Sequence, residues 1–238
     1  MKRILLILLL TLPLQMQGKL YVVLVGVSEY EQSENNLKHC HQDAIEMYKL
    51  LRKHTTKNRM ILLTNQNAKH DNIVYYANRL FQHAKEDDIV IFYFSGHGID
   101  NNFLAHDRPL NFGTLMNIFR KTKATRKLIF ADACYVGTLR TQSSQKKPDL
   151  GKNVVLFLSS QHGQLSRESR FLEGGIFSHY LIAGLKGDAD ENKDKFITMR
   201  ELYNYVYPRT NKRSNNTQTA VLWGKYNKNM IILDLYKK

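Results

Sequence analysis

The sequence has few cysteines, no second hydrophobic span, no internal repeat and no basic stripe. Each absence removes a class of protein. Two cysteines, Cys40 and Cys134, cannot frame a disulfide-rich scaffold, and a chain of 238 residues does not need a single bridge for stability. Past residue 18 no apolar run reaches the roughly 20 residues that cross a bilayer, so no stable membrane insertion is expected. The 35 Lys and Arg outnumber 21 Asp and Glu, for a net charge of +14. They are scattered, however, without the interleaved aromatics of a nucleic-acid platform, and no nucleic-acid partner is expected. His39 and His41 flank Cys40 but lack further residues at metal-ligand spacing.

The N-terminus is distinctive. Lys2-Arg3 precedes an apolar stretch from Ile4 to Leu14, broken only by Thr11 and Pro13. A charged segment followed by a short apolar one is the pattern of an export signal. Gly18 suits the residue before a cleavage point, while Met16 suits the position two before it poorly. Residues 1–18 are therefore read as a signal peptide and 19–238 as one domain, exported to the periplasm or the medium. A retained N-terminal anchor is the alternative.

The remainder alternates strand and helix patterns. Continuous apolar runs at 20–27, 60–63, 88–95, 127–132 and 154–158 predict buried parallel strands. Ile73, Tyr76, Ala77, Leu80 and Phe81 follow helical spacing, as do Phe177, Tyr180, Leu181, Gly184 and Leu185. Further helices are expected from Asp43 to Leu51, around Leu115 to Phe119, and from Met199 to Val206, stopping near Pro208. Strand-like runs at 220–223 and 230–233 close the chain. The alternation predicts an α/β fold, a mostly parallel sheet of about six strands with helices on both faces.

Two strand ends carry the chemistry. The run Ile89 to Ser95 stops at Gly96-His97-Gly98, and the run Lys127 to Asp132 stops at Ala133-Cys134. In open α/β folds ligands collect at the carboxyl ends of strands. An imidazole and a thiol delivered to one sheet edge can perform nucleophilic catalysis. Cys134 is the candidate nucleophile, active as thiolate. His97 is the candidate general acid and base. The N–H groups of Gly98 and Cys134 are the candidate oxyanion hole.

These residues resemble the histidine and cysteine motifs of the caspase-like cysteine peptidases. Ser95-Gly96-His97-Gly98 and Asp132-Ala133-Cys134-Tyr135-Val136-Gly137 are closer to the metacaspase and bacterial branches than to animal caspases. Val25 to Tyr30, Leu37 to Ala44 and Leu158 to Gln161 resemble further family segments, so the resemblance covers nearly all of 19–238. Val136 departs from the Ser commoner there in the family. The resemblance implies a caspase-like fold, protein or peptide substrates and a monomer. It divides the domain into a large-subunit-like part at 19–139, an exposed linker at 140–152 and a small-subunit-like part at 153–238. Arg140 and Lys146 are candidate self-cleavage sites in that linker. The substrate pocket maps by motif onto Asp43, Asp132, Ser95 and Cys40. A carboxylate at the base of such a pocket pairs with Arg or Lys and repels Asp, so cleavage after Arg or Lys is expected. A catalytically silent binding module with the same fold is the alternative, as is a domain that bonds Cys40 to Cys134.

A second motif lies near the C-terminus. Asp190, Asn192, Asp194, Phe196, Ile197 and Glu201 stand at positions one, three, five, seven, eight and twelve of a calcium loop. Phe196 would contribute its backbone carbonyl and Glu201 a bidentate carboxylate. Position six, ordinarily Gly, is Lys195. Calcium is thus a candidate ligand, structural or regulatory, and not required for the thiol chemistry. An Asp- and Asn-rich turn between helices is the other reading.

Overall fold

The structure is a computed structural model that describes residues 18–99, 101–133, 150, 153–161, 168–169 and 173–236. In chain order the elements are β1 (Leu20–Gly26), α1 (Cys40–Leu51), β2 (Met60–Thr64), α2 (His70–Phe81), β3 (Ile89–Ser95), β4 (Gly98–Ile99), β5 (Asn102–Leu104), β6 (Pro109–Asn111) and α3 (Phe112–Lys121). Then follow β7 (Arg126–Asp132), β8 (Val154–Leu158), β9 (Glu168–Ser169), β10 (Gly174–Gly175), α4 (Ile176–Ala183), β11 (Phe196–Thr198), α5 (Met199–Arg213), β12 (Val221–Trp223) and β13 (Ile231–Asp234). Residues 1–17 of the signal peptide, the 140–152 linker apart from Leu150 (with Arg140 and Lys146), and Cys134 lie outside the described residues.

The main sheet has the order β12-β8-β7-β3-β1-β2. β2, β1, β3, β7 and β8 are parallel, and β12 joins antiparallel at one edge. The expected α/β sheet with helices on both faces is therefore present. Its strands are continuous apolar runs because both faces are covered. Val23, Val25, Phe92, Phe94 and Ile129 pack toward α2 and α3. Val22, Leu24, Ile91, Tyr93 and Phe130 pack toward α1, α4 and α5. Each large side chain so buried contributes roughly 1.5–3 kcal/mol.

Several boundaries differ from the sequence reading. α1 begins at Cys40, three residues before the expected start, so Cys40 and Asp43 share its first turn. The Ser28 hydroxyl, distant in sequence, accepts the His41 N–H at 3.0 Å and supplies the cap. α5 runs through Pro208 to Arg213. Pro208 lies on the solvent face while Val206 and Thr210 remain buried, so water can satisfy the carbonyl that the proline leaves unbonded. The hairpin sheet β4-β5-β6 was not expected. Its strands are two or three residues long, too short to show a period.

Candidate active site

β3 and β7 are paired in register, with Ser95 opposite Asp132. The Gly96 N–H continues the ladder to the Asp132 carbonyl at 3.1 Å. His97 therefore stands two residues beyond one member of this pair, and Cys134 two residues along the chain beyond the other. Cys134, its thiol and its amide are outside the described residues. Its neighbour Ala133 is buried and donates its N–H to Ser159 Oγ at 3.1 Å. The Ser159 N–H reaches the Ala131 carbonyl at 2.9 Å. The end of β7 is thus clamped to the residues after β8.

His97 is half-buried and held on three sides. Its backbone N–H donates to the Tyr30 hydroxyl at 2.9 Å, and the two rings lie 5.2 Å apart. Its Nε2 lies 2.8 Å from the Asn35 carbonyl oxygen. A carbonyl only accepts, so Nε2 carries the hydrogen and Nδ1 is the basic nitrogen of the neutral ring. The loop that supplies Tyr30 and Asn35 is fixed in turn. Leu37 N–H donates to the Ser28 carbonyl at 2.8 Å, Tyr30 N–H to Asn36 Oδ1 at 2.9 Å, and Ser28 N–H to Asn65 Oδ1 at 2.9 Å. A Cβ on Gly96 would stand 2.9 Å from the Tyr30 hydroxyl oxygen, so only glycine allows this approach. Gly98 is buried, opens β4 and pairs with Phe103.

The four proposed pocket residues come together. Cys40, Asp43, Ser95 and Asp132 are all buried. Ser95 Oγ donates to Asp43 Oδ2 at 3.0 Å. The Gly175 N–H also donates to Asp43 Oδ2, at 3.1 Å. Asp132 Oδ2 accepts the Ser178 N–H at 3.0 Å and the Ser178 hydroxyl at 2.8 Å. Both carboxylates thus bond the N-terminus of α4, where backbone amides and the helix dipole favour negative charge. Gly175 lies between them: a Cβ there would stand 2.1 Å from Asp132 Oδ2 and 3.2 Å from Asp43 Oδ2.

Tyr93 is fully buried beside Ser178. Its hydroxyl is 2.6 Å from Ser178 Oγ. The Ser178 proton goes to a carboxylate, so Tyr93 is the donor of that pair. Burial pushes the Tyr93 phenol well above its ordinary value, and the charges of Asp43 and Asp132 add to the effect. Gly175, Ser178, Tyr93 and Asn35 were not picked out from the sequence. The Gly174-Gly175 pair ahead of an apolar helix was the one available signal.

The caspase domain family model matches residues 19–229. The chain belongs to the caspase-domain family, peptidase family C14. Metacaspase-1 of Debaryomyces hansenii is 27% identical over 218 residues, which are 77% of this chain and 49% of that protein. The chain therefore spans about half the length of this curated relative. Among solved structures, protein GSU0716 of Geobacter sulfurreducens superposes with a TM-score of 0.67 at 17% identity. The match covers 88% of this chain and 95% of that one, and it shows a shared fold.

Elsewhere in the caspase domain, the calcium-like loop is closed by its own hydrogen bonds. Asp190 accepts the N–H groups of Asp194 at 3.1 Å and Lys195 at 3.0 Å. Asn192 Oδ1 accepts the Asp194 N–H at 3.0 Å, and Asp194 Oδ1 accepts that of Phe196 at 2.8 Å. Lys195 takes a positive φ of 68° where a calcium loop has Gly. Glu201 Oε2 accepts the Thr198 N–H at 2.9 Å and its hydroxyl at 2.6 Å, a capping box at the start of α5. Among the described residues no three His, Cys, Asp or Glu side chains are grouped to hold a metal ion. In this conformation the twelfth-position carboxylate is turned to its own helix.

Proposed function

We propose that the protein is an exported cysteine endopeptidase that cuts after Arg or Lys, with Cys134 as nucleophile and His97 as acid and base. The observation that carries the specificity is the pair of buried carboxylates, Asp43 and Asp132, flanking Gly175 beside the His97 edge. Two buried carboxylates at one sheet edge favour a nearby cation and disfavour an anion. A guanidinium can bond two carboxylates through its fork, and an ammonium can bond each in turn.

The proposed reaction needs only the chain's own groups. The Cys134 thiol loses its proton to His97 Nδ1, and the thiolate attacks the carbonyl carbon after the Arg or Lys. The carbonyl oxygen becomes an oxyanion facing the Gly98 and Cys134 amides. The C–N bond breaks as Nδ1 returns the proton to the leaving amine. Water, deprotonated by the same nitrogen, then attacks the thioester, releases the carboxylic acid and restores the thiol. The Asn35 carbonyl keeps the hydrogen on Nε2 and so keeps Nδ1 basic.

Export is supported by Lys2-Arg3 and the apolar stretch behind them. Among the described residues no helix is long and apolar enough to cross a membrane. The enzyme is proposed to act as a monomer on protein or peptide substrates, without a cofactor for the chemistry. The test is hydrolysis of matched fluorogenic peptides ending in Arg, Lys or Asp by wild type and Cys134→Ala. Cleavage after Arg and Lys that the mutant lacks is the expected result. Faster cleavage after Asp would overturn the specificity, and no thiol-dependent cleavage would overturn the reaction.

A further inference from the structure

The buried carboxylates and the hairpin that follows His97 lie on different faces of the sheet. Ser95 and Asp132 follow Tyr93 and Phe130 in strand alternation, on the face covered by α1 and α4. Asp43, Gly175 and Ser178 stand on that same face, so the residue before the bond enters there. The short sheet β4-β5-β6 lies on the opposite face, where Phe103 and Leu110 pack with Phe92, Phe94 and α3. His97 is joined to this sheet directly, through Gly98.

The leaving amine takes its proton from His97. The residue that carries that amine therefore lies on the His97 side of the bond, toward β4. There the hairpin presents an outer face. Gly98 pairs with Phe103, and Phe103 is fully buried, so this pair points inward. The next pair, Ile99 with Asn102, points outward, since alternate pairs face opposite sides. Asn102 pairs in turn with Asn111. The Asn111 amide donates to Asn102 Oδ1 at 3.2 Å, while its own Oδ1 caps α3 through the Gly113 N–H at 2.8 Å. Ile99 is 43% exposed, one of four large apolar side chains so exposed among the described residues. It is the one beside the histidine.

We infer that Ile99 is a specificity residue for the departing half of the substrate: it forms an apolar subsite for an aliphatic or aromatic residue immediately after the cleaved bond. This rests on the endopeptidase reading above. Ile99 offers the apolar contact.

The test uses internally quenched peptides with Arg before the bond and Leu, Gly or Lys after it, on wild type, Ile99→Ser and Ile99→Asp. The wild type is expected to show kcat/KM about fivefold higher for Leu than for Gly, the gain from partly burying one aliphatic side chain against another. The Leu-to-Gly ratio falls toward one in Ile99→Ser, and Ile99→Asp shifts the preference toward Lys. Arg peptides cut with the same ratio by wild type and Ile99→Ser would overturn this inference alone. A wild type that cuts none of the peptides would overturn it together with the endopeptidase reading.

Discussion

Ser178 grips Asp132 twice, through its backbone N–H at 3.0 Å and its hydroxyl at 2.8 Å, both on Oδ2. One residue of α4 thereby fixes the carboxylate at the end of β7. The Tyr93 hydroxyl, 2.6 Å from Ser178 Oγ, extends the chain of donors below it. Ser178→Ala removes one bond to Asp132 and leaves a fully buried tyrosine hydroxyl without its acceptor. That loss costs about 1–3 kcal/mol, measured as a fall in the urea midpoint at unchanged slope. Peptides ending in Arg should lose more activity than the stability change explains, because Asp132 then keeps only the Ser178 N–H of that pair of bonds.

In the proposed specificity Asp43 and Asp132 divide the recognition of one cation. Asp132→Asn and Asp43→Asn keep the side-chain shape and remove one charge each. Each should lower kcat/KM for Arg peptides by roughly 2–4 kcal/mol, or about 30- to 1000-fold. The two effects should fall short of additive in the double variant, since both carboxylates flank Gly175. Equal losses on Arg and Asp peptides would point to a folding defect instead.

Gly175 has no room to grow. The added methyl of Gly175→Ala would stand 2.1 Å from Asp132 Oδ2, so the carboxylate must leave Ser178. Overpacking of this kind costs about 1–3 kcal/mol. Melting should fall accordingly, and cleavage after Arg should drop at least tenfold. Gly113→Ala is the control. Its nearest neighbour is a single side-chain oxygen on the surface, Asn111 Oδ1.

Tyr93 gives the pocket a pH signature. Its phenol is raised above the ordinary value by burial first and by Asp43 and Asp132 second. The unfolded chain releases this proton near pH 10, the folded chain at higher pH. The stability that Tyr93 contributes is therefore fully present below about pH 10 and is lost as pH rises toward the folded value. Tyr93→Phe should cost about 1 kcal/mol at neutral pH from the missing donor. Above pH 10 the gap between variant and wild type should narrow, as read from urea midpoints taken from pH 8 to 11.

The strands were legible because burial on both faces leaves continuous apolar runs, as in β1 and β3. His97 and Cys134 stood out because each ends such a run. The grouping of Cys40, Asp43, Ser95 and Asp132 followed from motif resemblance; in the structure Ser95 bonds Asp43, and Asp43 and Asp132 both adjoin Gly175. Gly175 and Ser178 stayed hidden because their partner Asp132 is 43 and 46 residues away, and no local pattern encodes such contacts. α1 began earlier than its periodicity suggested because its cap is Ser28, outside the helix. Pro208 misled because it lies on the exposed face of α5, where water can bond the Asn204 carbonyl that it leaves unpaired.

The Asp190–Glu201 loop offers a last test, because its two readings differ in what stabilises it. Here Thr198 and Glu201 cap α5 reciprocally, and Asp190, Asn192 and Asp194 accept loop amides. A loop held this way should melt at the same temperature with calcium and with chelator. Thr198→Ala should cost about 1 kcal/mol under both conditions. Lys195 holds a φ of 68°, which burdens a residue with a Cβ by about 1 kcal/mol. Lys195→Gly should therefore raise the melting temperature without any cation. A calcium-dependent rise in wild type, abolished by Glu201→Gln, would show instead that the carboxylate leaves its cap to bind the ion.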